Sequence, residues 1–389
     1  MPYWRLSSFY LFYFAALGAL VPFWTLYLST LGFNSVQIGQ LMAILTATKI
    51  VAPYIWGWLG DRIGRRMAIV RTGSFLAFLT FLLVFLLTDY AGLALAMSLF
   101  SFFWNAVLPQ VEVVTFQYLG DATPRYSRIR VWGSIGFVVA VTGLGFLVDR
   151  SGPASILPVL AFLYLGIWIS SMLIPEEDGD RQQGEEVHLP IGRFLLQPGI
   201  LAFFTACLLM QMSHGSYYTF YSIYLESRGY SKGLIGELWA LGVVAEVVVY
   251  IFFMHGMLVR FGAARLLMIS LLLAALRWVL IGTFSQQLGV LLFAQLLHAA
   301  TFGIFHAAAI HFVHHRFPAK LLGRGQALYS SFSFGIGGTL GSLSSGYLWE
   351  YAGSLLTFLS SAGIAVLAWF LLLTANRSME LPATGKVSH

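Results

Sequence analysis

Seven ionisable side chains stand inside long apolar stretches of this chain: Lys49, Glu112, His214, Glu246, Arg277, His298 and His306. In a hydrocarbon interior each such group costs about 2.5–3.5 kcal/mol, so each needs a partner or a wet cavity. Their neighbours suggest a use. Asn105 and Glu112 are seven residues apart and share a helical face. His214, Tyr218 and Tyr221 form a stripe with Tyr217 and Tyr224 beside it, and His298, Phe302 and His306 fall along one side of another helix. An arginine grips a carboxylate through two parallel hydrogen bonds, and tyrosine rings can flank an aromatic ring. Histidine exchanges protons near neutrality. The set suits a small aromatic anion taken up with protons: Arg277 and Lys49 for the carboxylate; Trp104, Asn105, Tyr217, Tyr218 and Tyr221 for the rest of the molecule; Glu246, His298, Glu112, His306 and His214 for the protons. The bland alternative pairs the charges locally, Lys49 with Glu112 and Glu246 with Arg277, and packs the aromatic rings against lipid.

The elements that hold these residues follow from composition. Of 389 residues, 58% are hydrophobic and 10% charged, which places the chain among membrane proteins. Apolar runs fall near 8–31, 36–59, 67–88, 91–118, 130–149 and 153–174. After a polar, acidic segment, 175–198, they resume near 199–225, 233–258, 266–285, 288–312, 326–350 and 354–374. Each is about long enough to span a bilayer. The expected fold is all-α: twelve transmembrane helices in two pseudo-symmetric six-helix bundles, 1–174 and 199–374, with a cytoplasmic linker 175–198 and tail 375–389. With the N-terminus inside, seventeen Arg and Lys fall on the cytoplasmic side and three, Arg150, Arg228 and Lys232, outside, leaving Lys49 and Arg277 within helices. This positive-inside asymmetry puts both termini in the cytoplasm. It also accounts for the net charge of +6 without nucleic acid. The stretch from Phe9 to Leu31 is too long and too aromatic for a signal peptide and reads as a retained helix. The single cysteine, Cys207, excludes an internal disulfide.

The two series repeat. A shift of 197 residues brings Gly18 onto Gly215, Phe23 onto Phe220, Tyr27-Leu28 onto Tyr224-Leu225, Gly32 onto Gly229 and Ile38-Gly39 onto Ile235-Gly236. The same shift brings Lys49 onto Glu246, which points to a central cavity shared by the halves near mid-membrane, with alternating access by rocking. Ser333, Gly337, Gly341 and Ser345 lie at spacing four in the eleventh run, a small-residue face for close helix packing.

Between the second and third runs stands Gly57-Trp-Leu-Gly-Asp-Arg-Ile-Gly-Arg-Arg66. Gly57 and Gly64 allow close backbone approach, Asp61 is placed to cap a helix, and Arg62, Arg65 and Arg66 mark a cytoplasmic turn. The pattern G-x-L-x-D-R-x-G-R-R resembles the loop between helices 2 and 3 of the major facilitator superfamily, and the chain is identified as a member of it. The resemblance implies a secondary transporter whose cytoplasmic gate includes this turn and Arg130. The second half carries a worn copy: Gly256, Leu258, Arg260 and Gly262.

Narrower patches, Leu241–Val247, Leu276–Val279, Gln295–Ala299 and Arg130–Ser134, look like the phenylpropionate permease branch, which is similar to lactose and nucleoside proton symporters. In lactose permeases a glutamate, an arginine and a histidine on helices 8, 9 and 10 couple protons to sugar; Glu246, Arg277 and His298 match them. A carboxylate that follows that histidine by three residues is here Thr301, so the coupling route is not copied whole. The resemblance implies proton-coupled import of a small aromatic carboxylate such as 3-phenylpropionate across a bacterial inner membrane. The alternative is a nucleoside or oligosaccharide symporter, with efflux or a non-transporting sensor behind it. His311, His314 and His315 lack the zinc-enzyme pattern, so no catalytic or metal residue is expected. No cofactor is expected either. The expected partners are substrate, protons and lipid, with the protein working as a monomer.

Overall fold

The computed structural model describes residues 2–176, 191–318 and 321–379. Acidic linker residues Glu177, Asp178, Asp180, Glu185 and Glu186, and the basic Arg181, Lys320 and Lys386, lie outside them. The helices are α1 (Tyr3–Thr30), α2 (Ser35–Ile63), α3 (Arg66–Phe85), α4 (Tyr90–Leu119), α5 (Tyr126–Ser151), α6 (Pro153–Leu173), α7 (Pro198–Ser227), α8 (Lys232–Phe252), α9 (Met254–Phe284) and α10 (Leu288–Arg316). An eleventh span, Leu322–Ala375, runs 54 residues. It breaks at Gly353, whose φ of 80° takes it off the helical path. The break divides the span into α11 (322–352) and α12 (354–375), giving twelve crossings in two groups of six. Large apolar side chains cover the outer surface, among them Val139, Phe162 and Leu367, as a hydrocarbon solvent requires.

Turn chemistry sets the ends. Asn34 caps α2, accepting from the Gln37 N–H while the Gln37 side chain takes the Asn34 N–H. Asp89 caps α4 and Ser231 caps α8 in the same way, through Gly92 and Leu234. The 57–66 turn is tighter than a loop: α2 continues through Asp61, and Gly64 closes it with φ 71°. Gly262, in the worn copy of that turn, has φ 72°, so the copy keeps its left-handed step after losing most of its charges. That step divides α9 as Gly353 divides the eleventh span, so the part beyond Gly262 begins three residues before the expected run.

Call the end of the bundle that carries the 57–66 turn the turn face, and the other the distal face. α2 packs on α11 and α5 on α8, joining the halves. The core of the first half continues into the distal part of the second, through Tyr217, Phe220, Tyr221, Leu225, Leu238 and Trp239. The turn-face part of the second half has its own core, built on Phe203, Met210, Leu267, Phe305 and Phe312. Apolar packing is therefore continuous between the halves on the distal side and divided toward the turn face. Glycines set the seam. A Cβ on Gly39 would stand 2.7 Å from the Ser342 carbonyl oxygen, and one on Gly236 2.4 Å from that of Val141.

The small-residue face of α11 packs on α7: a Cβ on Gly337 would meet the Leu208 carbonyl at 2.5 Å, and one on Gly341 that of Met212 at 2.6 Å. At Gly215 a Cβ would lie 2.2 Å from the Gly341 backbone. Backbone cannot yield as a side chain can, so Gly215→Ala must push α7 and α11 apart, an overpacking cost of about 1–3 kcal/mol. The expected result is a lower Tm in detergent, read by thermal unfolding; an unchanged Tm would mean that the helices separate without loss.

Candidate functional site

Arg277 is fully buried in α9, and the structure surrounds its guanidinium with neutral acceptors. Nη1 donates to Nδ1 of His298 (3.0 Å) and to the Thr301 hydroxyl (3.1 Å), and Nη2 donates to Oε1 of Gln295 (3.1 Å). The rings of Tyr217 and Trp278 cover it, 4.3 and 4.8 Å from Cζ. The bonds belong to a wider net. Gln295 Oε1 also accepts from the Tyr217 hydroxyl at 3.0 Å, and its Nε2 donates to Tyr221. Gln295 thus fixes one charge and two phenols at once. No motif in the sequence singles out Gln295; an amide three residues before His298 in an apolar run is the only signal of its role.

Arginine can only donate. His298 Nδ1 must therefore be the bare ring nitrogen, and the ring proton sits on Nε2, which faces Glu246 Oε2 at 3.7 Å. Arg277, His298 and Glu246 form a chain from a fixed charge to a half-buried carboxylate. The local pairing of Glu246 with Arg277 is replaced by one through the imidazole. Two glycines make room: a Cβ on Gly303 would lie 2.7 Å from Glu246 Cγ, and one on Gly242 3.2 Å from His298 Cβ. Directly after His298 the helix widens into a π-helical turn, Ala299–Ile304, a form that often accompanies function. His298, Phe302 and His306 stack almost parallel, at 5.4 and 6.2 Å. His306 ends the stack on the Tyr329 hydroxyl, 2.9 Å away.

The first half presents a second group. Glu112 accepts from Tyr126 at 3.3 Å. Arg130 lies over the Phe14 ring, 3.6 Å from its centroid, and within electrostatic reach of Glu112, Glu246 and His306. Charges on α4, α5, α8 and α10 that sense one another share one interior between the halves. Lys49 is half-buried, and no described residue forms a hydrogen bond or ion pair with it. The alternative local pair of Lys49 with Glu112 is absent among the described residues.

The other named residues separate into two sets. Tyr218 is half-buried, within reach of Glu246 and 5.8 Å from His214 in a stacked arrangement. Trp104, Asn105, Tyr217 and Tyr221 are packed away in this conformation. Trp104 stacks between Tyr13 and Phe100, and Asn105 ties α4 to α2 through the Leu45 carbonyl and Thr48. His214 sits at a break in α7, bonded through Nδ1 to the Met210 carbonyl at 2.8 Å and set edge-on to Trp278. Of the two cations expected to grip a carboxylate, Arg277 is fully buried among its partners and Lys49 is half-buried with none bonded to it among the described residues.

At the turn, Asp61 pairs with Arg66, and Arg66 also donates to Gln110 at 2.7 Å. Gln110 is buried against Gly60, so it reports the α2–α3 turn to α4, two residues before Glu112. Asp61 does not cap α3, contrary to its expected role. Its carboxylate is held by Arg66, and Glu176 takes the Met67 N–H instead, at 3.0 Å, while pairing with Arg71. Arg62 lies over Trp58. Gly57 leaves room for the Gln110 side chain, and Arg65 precedes α3.

Twelve membrane helices in two related halves, with a charged interior between them, define a membrane transporter. The chain belongs to the MFS_1 like family, whose model matches residues 3–360. Among curated proteins it is 31% identical over 355 residues to a probable 3-phenylpropionic acid transporter of Escherichia coli (strain K12), covering 88% of this chain and 90% of that one. It is 24% identical to a maltose permease of Geobacillus stearothermophilus, covering 95% and 94%. Among solved structures, the nucleoside transporter NupG superposes with a TM-score of 0.84 at 18% identity, over 97% of this chain and 99% of that one. The family and these relatives are transporters, and this multi-pass membrane protein is a transporter rather than an enzyme.

Gln295→Leu would leave Arg277 Nη2 and two phenols without their buried partner, at about 1–3 kcal/mol each. The expected result is a marked fall in Tm together with loss of transport, read by thermal unfolding and uptake. Gln295→Glu, which restores an acceptor for Arg277, is expected to recover most of the stability.

Proposed function

We propose that this protein imports a small aromatic carboxylate together with protons, by alternating access across a bacterial inner membrane, with both termini cytoplasmic and the monomer as the working unit. The observation that carries this reading is Lys49, an interior cation with no carboxylate bonded to it among the described residues. The identity to a phenylpropionic acid transporter over most of the chain supports the substrate class. Lys49 and Arg130 receive the carboxylate, with Phe14 and Tyr218 beside its ring. Arg277 holds His298 in the tautomer that presents Nε2–H to Glu246. Glu246 takes the proton; Glu112 balances Arg130; His306 and His214 extend the exchange path. The halves 1–174 and 199–374 rock against each other.

Charge explains the coupling. The interior set holds three cations, Lys49, Arg130 and Arg277, against two carboxylates, Glu112 and Glu246. Protonating Glu246 leaves one more uncompensated positive charge in a medium of low dielectric, which is costly until an anion enters. The substrate carboxylate supplies it, and proton and anion cross as a neutral load.

Uptake of labelled 3-phenylpropionate into proteoliposomes under an imposed pH gradient tests this. Wild-type uptake is expected to rise as the outside is acidified. Lys49→Gln and Arg130→Gln are each expected to raise KM about tenfold or more, as loss of a charged hydrogen bond costs about 1.5–3 kcal/mol. Glu246→Gln is expected to abolish gradient-driven accumulation while leaving exchange across the membrane. Transport of nucleosides or maltose in place of the acid would discard the anion reading and favour the sugar and nucleoside relatives.

The turn controls the rate. Asp61→Asn and Gln110→Ala both loosen the Arg66 contact far from the interior charges, so turnover should fall about tenfold with KM nearly unchanged. A normal turnover number in both variants would remove the gating role of Asp61, Arg62, Arg65 and Arg66.

A further inference from the structure

Two carboxylates cross between the halves on the distal face. Asp149, near the end of α5, accepts from the backbone N–H groups of Lys232 and Gly233, both at 2.8 Å. Glu350, near the end of α11, accepts from the Ser35 N–H at 3.0 Å. Ser35 and Lys232 are the first residues of α2 and α8, and they stand 197 apart, the spacing of the repeat. The local caps obey the same spacing: Asn34 takes the Gln37 N–H and Ser231 the Leu234 N–H. At both helix starts, then, the helix's own cap satisfies the third N–H, and a carboxylate from the opposite half satisfies the first. A helix start has unpaired N–H donors and a partial positive charge, and an anion is stabilised there.

We propose that Asp149 and Glu350 are exchanged caps, one lent by each half to the other, and that together they latch the distal face shut. Each lies on a glycine seam. A Cβ on Gly233 would stand 3.2 Å from the Asp149 carboxylate, and one on Gly346 3.0 Å from Gly39 Cα. The carboxylates therefore reach the N–H groups only while the helices touch, and any opening of the distal face breaks both bonds. The Lys232 ammonium does not compete for Asp149, being paired with Glu226 at 2.9 Å. Equal and opposite lending means that neither half moves free while the other stays latched.

The latch rests on the proposal that the halves rock, and its test uses no substrate. Spin labels on Thr88→Cys and Gln286→Cys, exposed distal positions on the two halves, report the opening in liposomes in a Cys207→Ser background. Asp149→Ala and Glu350→Ala are each expected to shift the open-to-closed ratio about fivefold, and the double variant about twenty-fivefold, as two independent caps should. Asp149→Asn keeps one acceptor and should fall between. Gly236→Trp, a wedge driven between α5 and α8, serves as the control for rocking. If the wedge opens the distal face and the alanine variants keep the parental distance distribution, the latch is wrong and the rocking stands. If neither moves it, rocking fails and the latch with it. An effect from one carboxylate alone would overturn the pairing. Monodisperse elution of each variant guards against misfolding.

Discussion

A guanidinium keeps its charge at any pH of interest, and in this protein it has no exposed surface at all. Water cannot reach Arg277, so protein groups must satisfy it; they do so at Nη1 and Nη2, while Nε is left without a hydrogen-bond partner among the described residues. Much of the second half can be read as the answer to that demand. Gln295, His298 and Thr301 are brought to it by one stretch of α10, Tyr217 by α7, and Trp278 is its own neighbour on α9. The hydroxyl of Thr301 accepts where a carboxylate would have cancelled the charge. The positive charge is thus left standing, and Glu246 is linked to it only through the imidazole of His298. Stability and coupling draw on the same bonds: what makes the arginine tolerable also sets which nitrogen of His298 carries its proton.

The membrane imposes the same rule on the seam between the halves. Helices that must touch and part cannot be glued by interlocking side chains, since parting would leave voids. Glycines along α2, α5, α8 and α11 let backbones meet over smooth surfaces, hydroxyl pairs such as Thr46 with Thr339 and Tyr54 with Ser331 bridge α2 and α11 within the seam, and the carboxylate bonds are placed at the helix ends, where water can take over when the contact opens. The interior charges lie on the other side of that seal, toward the face where the two apolar cores divide. This explains why Glu112, Arg130, Lys49 and Glu246 keep partial exposure while Tyr221 and Trp104 do not.

Composition, the 197-residue repeat and the 57–66 turn make the twelve-helix fold legible in the sequence, because a bilayer permits few solutions and the repeat halves the problem. Helix ends shifted by a few residues. The site was legible in its charges and less so in its geometry. Spacing put Lys49, Glu246, Arg277 and His298 in the membrane; it could not say that Arg277 turns inward to Gln295 while Arg130, four residues into α5, turns toward the interior. Which way a long side chain points depends on neighbours from other helices, and that information is not periodic. Gln110, Asp149 and Glu350 escaped for the same reason: each acts on a helix distant in sequence.

The wide turn at Ala299–Ile304 has one consequence of its own. A π-helical turn holds more residues than an α-turn, and each α-helical residue advances about 100° around the axis. If that stretch relaxed to ordinary pitch, everything beyond it would swing by roughly one residue's rotation, taking His306 off Tyr329 and out of line with Phe302 without breaking the helix. A second such turn, Ser331–Gly337, lies in α11, and Phe302 meets Phe334 across the gap at 6.2 Å. The second half thus carries two facing wide turns, and tightening either would rotate the helix beyond it without unpairing its backbone.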